Sequence, residues 1–355
     1  MALLSFKCTD FRCLETAALE FGPEFNLIAG PNASGKTSIL EAVAYLGRAR
    51  SFRGASVREL VRHGCDEFVL FGKAESASRV VALGVRNGPA GLDVHVDGDK
   101  QSSAALLAES LPLQVIDPDV HELVAGGPEF RRRYLDWVAF HVEHGYLEHW
   151  RRFRRALKQR NAALRSGTDS GSLAGWDEEL ATLGETVDNV RKRMVEIIRP
   201  SLEEYGEMLL GSAVSIRYRQ GWPAEMMLVD ALQSSVDRDR QHASTQYGPH
   251  RGDLVLSYDE RHARKLVSRG QQKLLACSLI LSASDVAQTA LEKPLTLLLD
   301  DPAAELDRDA VSRLMACVEN LGCQVIATSL DAEQELFSSP PILFHVEQGR
   351  VGKDA

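Results

Sequence analysis

Cysteine is scarce in this sequence, and its spacing excludes the usual cysteine-based frameworks. The 355 residues contain six cysteines, and no two of them form a C-x-x-C pair. Disulfide scaffolds and zinc ribbons both need cysteines paired at short, regular spacings, so neither is expected. We expect the cysteines in apolar segments to be small core residues in a reducing compartment.

Long apolar runs and a secretory leader are also missing. No uninterrupted apolar stretch approaches the roughly 18 residues that a membrane span needs, so the sequence predicts no spanning helix. The first seven residues, MALLSFK, lack a basic leader segment, and Asp10 follows soon after. We therefore expect no secretory signal and a cytoplasmic protein.

An excess of positive charge is absent from the whole chain but present locally. The net charge is −9, which argues against a strongly basic nucleic-acid binder. Residues 129–165 nevertheless contain ten basic and four acidic residues. Such a stretch is typical either of a polyanion-binding face or of a solvated helix exterior, and composition alone favours neither.

The most informative segment that is present is Gly30–Thr37, which reads G-x-x-x-x-G-K-T. An apolar, strand-like run at 25–29 precedes it, and apolar residues at helical spacing follow to Leu46. A loop at the start of a helix binds phosphate, because free backbone N–H groups and the helix dipole attract anions. The pattern predicts that Lys36 reaches the β- and γ-phosphates and that the Thr37 hydroxyl is a ligand of Mg²⁺. The predicted nucleotide-binding residues of this loop are Gly30, Asn32, Ala33, Ser34, Gly35, Lys36, Thr37 and Ser38.

A second phosphate-related pattern ends in two carboxylates. Residues 294–299 form an apolar run typical of a buried parallel strand, and Asp300 and Asp301 follow it. Asp300 is the predicted Mg²⁺ carboxylate, acting through a water molecule. Asp301 is predicted to orient or deprotonate the attacking water, and we count it with Lys36 and Asp300 as catalytic. An aspartate is one methylene shorter than a glutamate, so we expect slow hydrolysis.

A third pattern predicts another anion-binding helix start. Ser268 can cap a helix that runs over 274–290, Gly270 allows close approach to the backbone, and Gln271 follows. One nucleotide does not need two such helix ends from one subunit. We therefore expect this segment to bind the γ-phosphate held by a second copy of the chain.

The distribution of elements predicts an α/β protein with a helical insertion. Residues 1–118 contain β-type runs with turn signals between them, which suggest an antiparallel meander attached to the strand before the phosphate loop. Residues 119–243 look helical, with a long helix over 132–164, a turn, and a second helix over 176–210 in which Pro200 can introduce a kink or break. Residues 244–355 return to α/β character, so we predict one domain from 1–118 with 244–355 and another from 119–243.

Together, these motifs resemble the ABC-type P-loop ATPase heads of SMC and Rad50 proteins. The chain is most similar to the RecF family of bacterial DNA replication and repair proteins, over essentially its whole length. The segments that carry this resemblance are RSFR at 50–53, GPEFRR at 127–132, GPHRGD at 248–253 and SRGQQK at 268–273.

The resemblance implies an ATP-dependent homodimer that binds DNA at gaps and at junctions of single and double strands. It implies action with RecO and RecR to help RecA load, in recombination, DNA damage repair and the SOS response. It also implies ATP and Mg²⁺ as cofactors, weak DNA-stimulated ATPase activity and no membrane. The basic stretch then provides the candidate DNA contacts Arg131, Arg151, Arg152, Arg154 and Arg155.

The sequence departs from the common pattern of such ATPases at three places. Ala33 stands where glycine is usual, and Thr328-Ser329 replaces the switch histidine of transporters. A Q-loop glutamine is not evident, and either Gln114 or the turn at 116–118 is a candidate. The alternatives are a transporter ATPase subunit, which needs that histidine; an SMC-like structural head, which needs longer helical arms; and a P-loop kinase, which does not need the Ser268 motif.

Overall fold

The computed structural model of the chain describes residues 2–76, 79–167, 170–259, 261–263, 268–331 and 336–353. It divides into two compact units, Met1–Val120 with Leu291–Ala355, and His121–Ala290. We call them the first and the second unit and describe each by itself.

The first unit contains two β-sheets and the helices packed on them. Its strands are β1 (Ala2–Phe11), β2 (Leu14–Glu20), β3 (Phe25–Ala29), β4 (Phe68–Ser76), β5 (Arg79–Gly88), β6 (Gly91–Val96), β7 (Asp99–Gln101), β8 (Leu113–Ile116), β12 (Thr296–Leu299), β13 (Gln324–Ser329), β14 (Ile342–Glu347) and β15 (Arg350–Lys353). Its helices are α1 (Lys36–Arg48), α2 (Val57–Leu60), α3 (Ala105–Ser110) and α11 (Arg308–Asn320), and a 3-10 turn covers Pro118–His121.

The two sheets have different strand directions. One sheet has the order β15-β14-β3-β13-β12-β8, and its neighbours from β14 to β8 are parallel. The other has the antiparallel order β2-β1-β4-β5-β6-β7. The predicted meander is confirmed as β4 to β6, but it extends β1 rather than the strand before the phosphate loop, because β3 pairs with β13 and β14.

Helix α1 is buried on all sides and forms the centre of this unit. Every residue from Ile39 to Gly47 is buried, and the apolar side chains among them join one hydrophobic core with residues of both sheets. At Gly47 an added Cβ would lie 2.5 Å from Leu113 Cδ2. This burial fixes the start of α1, and with it the phosphate loop, relative to the strand ends.

The second unit is mostly helical. Its helices are α4 (Glu122–Ala125), α5 (Pro128–Val142), α6 (Tyr146–Arg165), α7 (Ser170–Leu210), α8 (Leu228–Ser234), α9 (Val236–Gln241) and α10 (Arg269–Leu291). A sheet of β9 (Val214–Arg219), β10 (Asp253–Tyr258) and β11 (Arg261–His262) and a 3-10 turn at Pro249–Arg251 complete it.

The helical part differs from its sequence-based prediction in two respects. The single helix expected over 132–164 is two helices, because Gly145 takes a left-handed conformation with φ of 84° between α5 and α6. The second helix starts at Ser170, and Pro200 lies inside it without ending it. Helices α6 and α7 pack against each other, as the hairpin prediction required.

The border of the second unit lies at 290/291, whereas the sequence-based domain division has it at 243/244. Two contacts explain why the later residues join the helices. Strand β10 pairs with β9 along its whole length, and Ser278 of α10 donates a hydrogen bond to the carbonyl of Tyr205 in α7. The division into a head domain and an inserted domain stays a prediction.

Helix α10 is long and apolar enough, by length and composition, to cross a membrane. Of its most apolar window, 72% is buried inside the structure. Its buried serines Ser278, Ser282 and Ser284 donate to carbonyls within the helix. A core helix of a globular protein can have the same length and apolar composition.

Candidate nucleotide site

The phosphate loop joins β3 to α1 and follows a tightly constrained backbone path. Gly30 has φ of 156°, and a Cβ there would lie 2.2 Å from the carbonyl oxygen of Val346. Gly35, with φ of 114°, lies directly before the helix. Ala33 has φ of 60°, a left-handed conformation that glycine adopts far more readily than alanine. The departure from glycine seen in the sequence therefore lies at a strained position.

Lys36 lies at the first position of α1 and points back over the loop. Its Nζ donates to the carbonyls of Gly30 at 2.6 Å and Pro31 at 2.9 Å. Burial lowers the pKa of Lys36, and the nearby carboxylates of Asp301 and Asp300 oppose that shift. The ammonium is thus held over the loop, where the G-K-T pattern predicts that it meets phosphate.

Asp300 lies where the ends of three parallel strands meet. The Thr37 hydroxyl donates to Asp300 Oδ1 at 2.9 Å, and so does the Thr328 hydroxyl, also at 2.9 Å. Burial raises the pKa of Asp300, whereas the hydroxyls of Thr328 and Thr37 lower it. The two residues predicted to be Mg²⁺ ligands, Thr37 and Asp300, are therefore in direct contact.

Asp301 follows in a left-handed conformation with φ of 46°. Its backbone N–H donates to the Thr328 hydroxyl at 2.9 Å. Thr328 consequently contacts both aspartates, a role that sequence reasoning missed. The only sequence signal was its position at the end of an apolar strand, in the place of the transporter histidine.

The two Q-loop candidates lie in different environments. Gln114 is buried within β8 and accepts a hydrogen bond from Arg48 at 3.3 Å. Asp117 follows β8 next to Asp300, whose N–H donates to the carbonyl of Ile116 at 2.8 Å. Burial, together with Asp119 and Asp300, raises the pKa of Asp117 to about 6. Position therefore favours the turn at 116–118.

A cleft of about 290 Å³ is lined by the predicted residues of the first unit except Gly30. Its lining comprises Cys13, Asn32, Ala33, Ser34, Gly35, Lys36, Thr37, Ser38, Arg53, Asp300, Asp301, Thr328 and Leu330. A larger cleft of about 690 Å³ runs along α11 and residues 336–338 and contains none of the predicted site residues. Of these two clefts, the smaller one is lined by the residues predicted to bind phosphate and Mg²⁺.

A buried glutamate supports the rim of this cleft. Glu41 of α1 is fully buried and accepts two hydrogen bonds from the guanidinium of Arg12, at 2.8 and 3.0 Å. It also accepts from the Ser51 hydroxyl, and that oxygen in turn accepts from the N–H of Arg53 at 3.1 Å. Sequence reasoning missed Glu41, because one acid inside an apolar helix pattern does not reveal its partners.

The Ser268 segment lies in the second unit and begins α10 as predicted. The Ser268 hydroxyl accepts from the N–H of Gln271 at 3.3 Å, and Gln271 Oε1 accepts from the N–H of Ser268 at 3.0 Å. This reciprocal pair is a capping box. Gly270 lies in the first turn of the helix. Val267, which precedes the motif, lies outside the described residues.

The predicted DNA contacts divide into one buried arginine and four exposed ones. Arg131 is 3% exposed, pairs with Asp253 at 2.8 Å and donates to the carbonyl of Gly126 at 3.0 Å. It therefore supports the fold rather than facing a ligand, and its prediction as a DNA contact is corrected. The exposed members, all on α6, are Arg151, Arg152, Arg154 and Arg155.

Comparisons with known proteins agree with this geometry. Residues 2–349 match the family model described as the RecF/RecN/SMC N terminal domain. The DNA replication and repair protein RecF of Azotobacter vinelandii is 40% identical over 359 residues, which cover 99% of this chain and 98% of that protein. The chain belongs to the RecF family. RecF of Stutzerimonas stutzeri is 38% identical, over 99% of this chain and 97% of its own.

Solved structures support the same family and fold. A structure of the recombination mediator protein RecF with ATP, described in the RecFOR pathway, has a TM-score of 0.91 and 27% identity, over 99% of this chain and 97% of that one. An Smc head bound to the C-winged helix domain of ScpA has a TM-score of 0.61 at 16% identity, over 100% and 98% of the two chains, which shows a shared fold alone. The predicted RecF resemblance and the ABC-type ATPase head are confirmed.

Proposed function

We propose that this chain is an ATP-dependent, DNA-binding recombination mediator of the RecF type. The observation that carries the proposal is the meeting of the phosphate loop, Thr37, Asp300 and Asp301 at the ends of the parallel strands β3 and β12, on either side of β13. Relatives described as DNA replication and repair proteins, and a RecF structure with ATP, support it. We expect the protein to act in the cytoplasm.

The residues of the cleft fit ATP and Mg²⁺. The path of the loop at Gly30 leaves no room for a side chain, and the Ser34 hydroxyl is buried without a hydrogen-bond partner among the described residues. Thr37 and Asp300 provide adjacent oxygen atoms of the kind that Mg²⁺ prefers. Bound Mg²⁺ would neutralise phosphate charge, Lys36 would bind the phosphates, and Asp301 would orient water for a weak, DNA-stimulated ATPase.

The second helix start is the proposed dimerisation site. Ser268 and Gly270 lie at the start of α10, where the helix dipole attracts anions, and the Ser268 hydroxyl accepts from the N–H of Gln271. We expect this segment to bind the γ-phosphate held by the partner copy. ATP would then join two chains, and hydrolysis would release them.

The exposed arginines of α6 are the proposed DNA contacts. Arg151, Arg152, Arg154 and Arg155 are exposed, whereas the alternating residues Phe153, Ala156 and Leu157 are buried. We expect single-stranded and gapped duplex DNA as ligands. RecR together with RecO, and indirectly RecA, are the expected protein partners, in keeping with the RecFOR pathway of the related structure.

Whether the protein is a monomer or a dimer in the presence of ATP or ADP tests this proposal. We expect sedimentation at micromolar protein to show a dimer with ATP and Mg²⁺ and a monomer with ADP. Ser268→Arg should preserve ATP binding by the monomer and block dimerisation, because the larger side chain fills the phosphate-binding end of α10. Ser102→Arg, at an exposed serine outside any helix, is the control and should dimerise normally. The same mass with ATP, with ADP and without nucleotide would contradict the proposal.

A further inference from the structure

Thr328 is the only residue described at the ends of the parallel strands whose hydroxyl contacts both aspartates of the cleft. It is the fifth residue of β13, which lies between the strand of the phosphate loop and the strand that ends at Asp300. Its hydroxyl donates to Asp300 Oδ1 and accepts from the backbone N–H of Asp301, each at 2.9 Å. One atom thus ties together the two groups to which the proposed function gives different tasks.

We propose that Thr328 is a positioning residue for ATP hydrolysis, which fixes Asp300 for Mg²⁺ and Asp301 for water through this one hydroxyl. The inference rests on the proposed ATPase function and adds a residue to it. At the position of the transporter switch histidine, Thr328 would therefore position two aspartates rather than contact phosphate.

The hydroxyl's hydrogen bonds argue against a direct phosphate contact. A threonine hydroxyl has one proton to donate, and Thr328 already gives it to Asp300. The residue lines the cleft although it is only 1% exposed. The neighbouring Ser329 hydroxyl accepts from the N–H of Asp331 at 3.2 Å and contacts neither aspartate in the bonds described.

The backbone at Asp301 explains why such support is needed. A non-glycine residue with φ of 46° is in a sparsely populated conformation that persists only when its surroundings hold it. The bond from the Asp301 N–H to Thr328 is the one side-chain contact described for that group. At Asp300, the hydroxyls of Thr37 and Thr328 both donate to Oδ1, so Oδ2 receives neither of these two hydrogen bonds.

Three variants separate the hydroxyl from the packing of the side chain. Thr328→Val keeps the shape and removes the hydroxyl, Thr328→Ser keeps the hydroxyl and removes a methyl group, and Ser329→Ala removes the neighbouring hydroxyl. The measurements are ATP affinity with Mg²⁺ and with EDTA, single-turnover hydrolysis, and the melting temperature of each variant. The ATP affinity is measured without relying on ATP hydrolysis.

We expect Thr328→Val to slow hydrolysis about tenfold to a hundredfold, the factor that follows from losing a hydrogen bond to a charged group. Its ATP affinity in EDTA should stay within about twofold of wild type, whereas the gain in affinity on adding Mg²⁺ should shrink by a similar factor to hydrolysis. Thr328→Ser and Ser329→Ala should retain both the rate and the Mg²⁺ gain.

Each other result overturns the inference in a recognisable way. Wild-type hydrolysis and Mg²⁺ gain in Thr328→Val would show that the hydroxyl is not needed. A Thr328→Ser variant that melts like wild type but hydrolyses ATP as slowly as Thr328→Val would assign the role to the methyl group. If Thr328→Val does not fold, a folded Thr328→Ser decides: wild-type hydrolysis and Mg²⁺ gain support the hydroxyl, and hydrolysis slowed about tenfold or more overturns the inference. Wild-type protein that binds no ATP would instead overturn the proposed function, and this inference with it.

Discussion

Ala33 is the residue at which the phosphate loop carries backbone strain. Its φ of 60° is a conformation that costs an L-residue about 1–2 kcal/mol, and its side chain is exposed. Packing therefore does not require a methyl group there. The strain is local, and its relief can be measured without disturbing the core.

Ala33→Gly should not destabilise the protein, although glycine usually does. Relief of strain offsets the greater freedom of glycine in the unfolded chain, so we expect the free energy of unfolding to stay equal or rise by up to about 1 kcal/mol. Ala316→Gly, at an exposed alanine within α11, should lower it by about 1 kcal/mol. Urea titration of both variants checks this. A comparable loss of stability in both would show that residue 33 is not strained.

Sequence motifs predicted the residues whose chemistry depends on neighbours along the chain. Lys36, Thr37 and Asp300 meet in one cleft, as the phosphate-loop and strand patterns indicated. Thr328 and Glu41 could not be predicted, because their partners come from other strands and loops. Their roles depend on the strand order of the parallel sheet and on the burial of α1, which no local pattern specifies.

At the level of elements, α6 separates buried from exposed basic side chains. Arg160 is fully buried and pairs with Asp177 and Asp239, each at 2.6 Å. Among the ion pairs of the described residues, none joins Arg152, Arg154 or Arg155 to an acid of α7. An alternative is that the exposed arginines only support the hairpin by pairing with acids of α7 such as Glu178, Glu179 and Glu185. The ion pairs of the described residues give that alternative no support for these three arginines.

Replacing Arg151, Arg152, Arg154 and Arg155 by Glu should weaken DNA binding without affecting ATP binding measured in the absence of DNA. Each neutralised phosphate releases counterions, so the slope of log affinity against log salt should flatten by about 0.9 for each duplex phosphate that the variant no longer neutralises. Binding to gapped DNA over a salt series measures this slope. The control replaces four basic residues that are exposed on the antiparallel sheet by Glu, which changes the net charge by the same amount. These residues are Lys7, Lys73, Arg79 and Lys100.

An unchanged affinity and slope in a folded α6 variant would exclude α6 as the DNA face. The sequence predicted the basic stretch as a whole and could not sort its members. Arg131 illustrates the reason, since its partner Asp253 lies 122 positions away in the chain. Residue spacing along α5 and α6 shows which side chains are exposed only once the break between the helices is known, and the sequence-based prediction places Gly145 inside one longer helix.

For the whole molecule, we expect DNA binding to depend on the nucleotide. In the proposed dimer, the phosphate loop of one copy and the Ser268 helix start of the other copy together form one nucleotide site. Coupling of this kind between two ligands is typically about 1–3 kcal/mol, or about 5–150-fold in affinity. The ATP-bound dimer is the state expected to bind DNA, and hydrolysis ends it.

The most direct test measures binding to gapped duplex DNA with ATP, with ADP and without nucleotide, beside single-stranded and blunt duplex DNA. We predict that ATP with Mg²⁺ tightens binding to gapped DNA about tenfold or more relative to ADP. Asp301→Asn should still bind ATP and Mg²⁺, and it should keep the tight complex for longer because water attack is slowed. Equal affinity for gapped DNA in all three nucleotide conditions, for wild type and Asp301→Asn alike, would contradict the account.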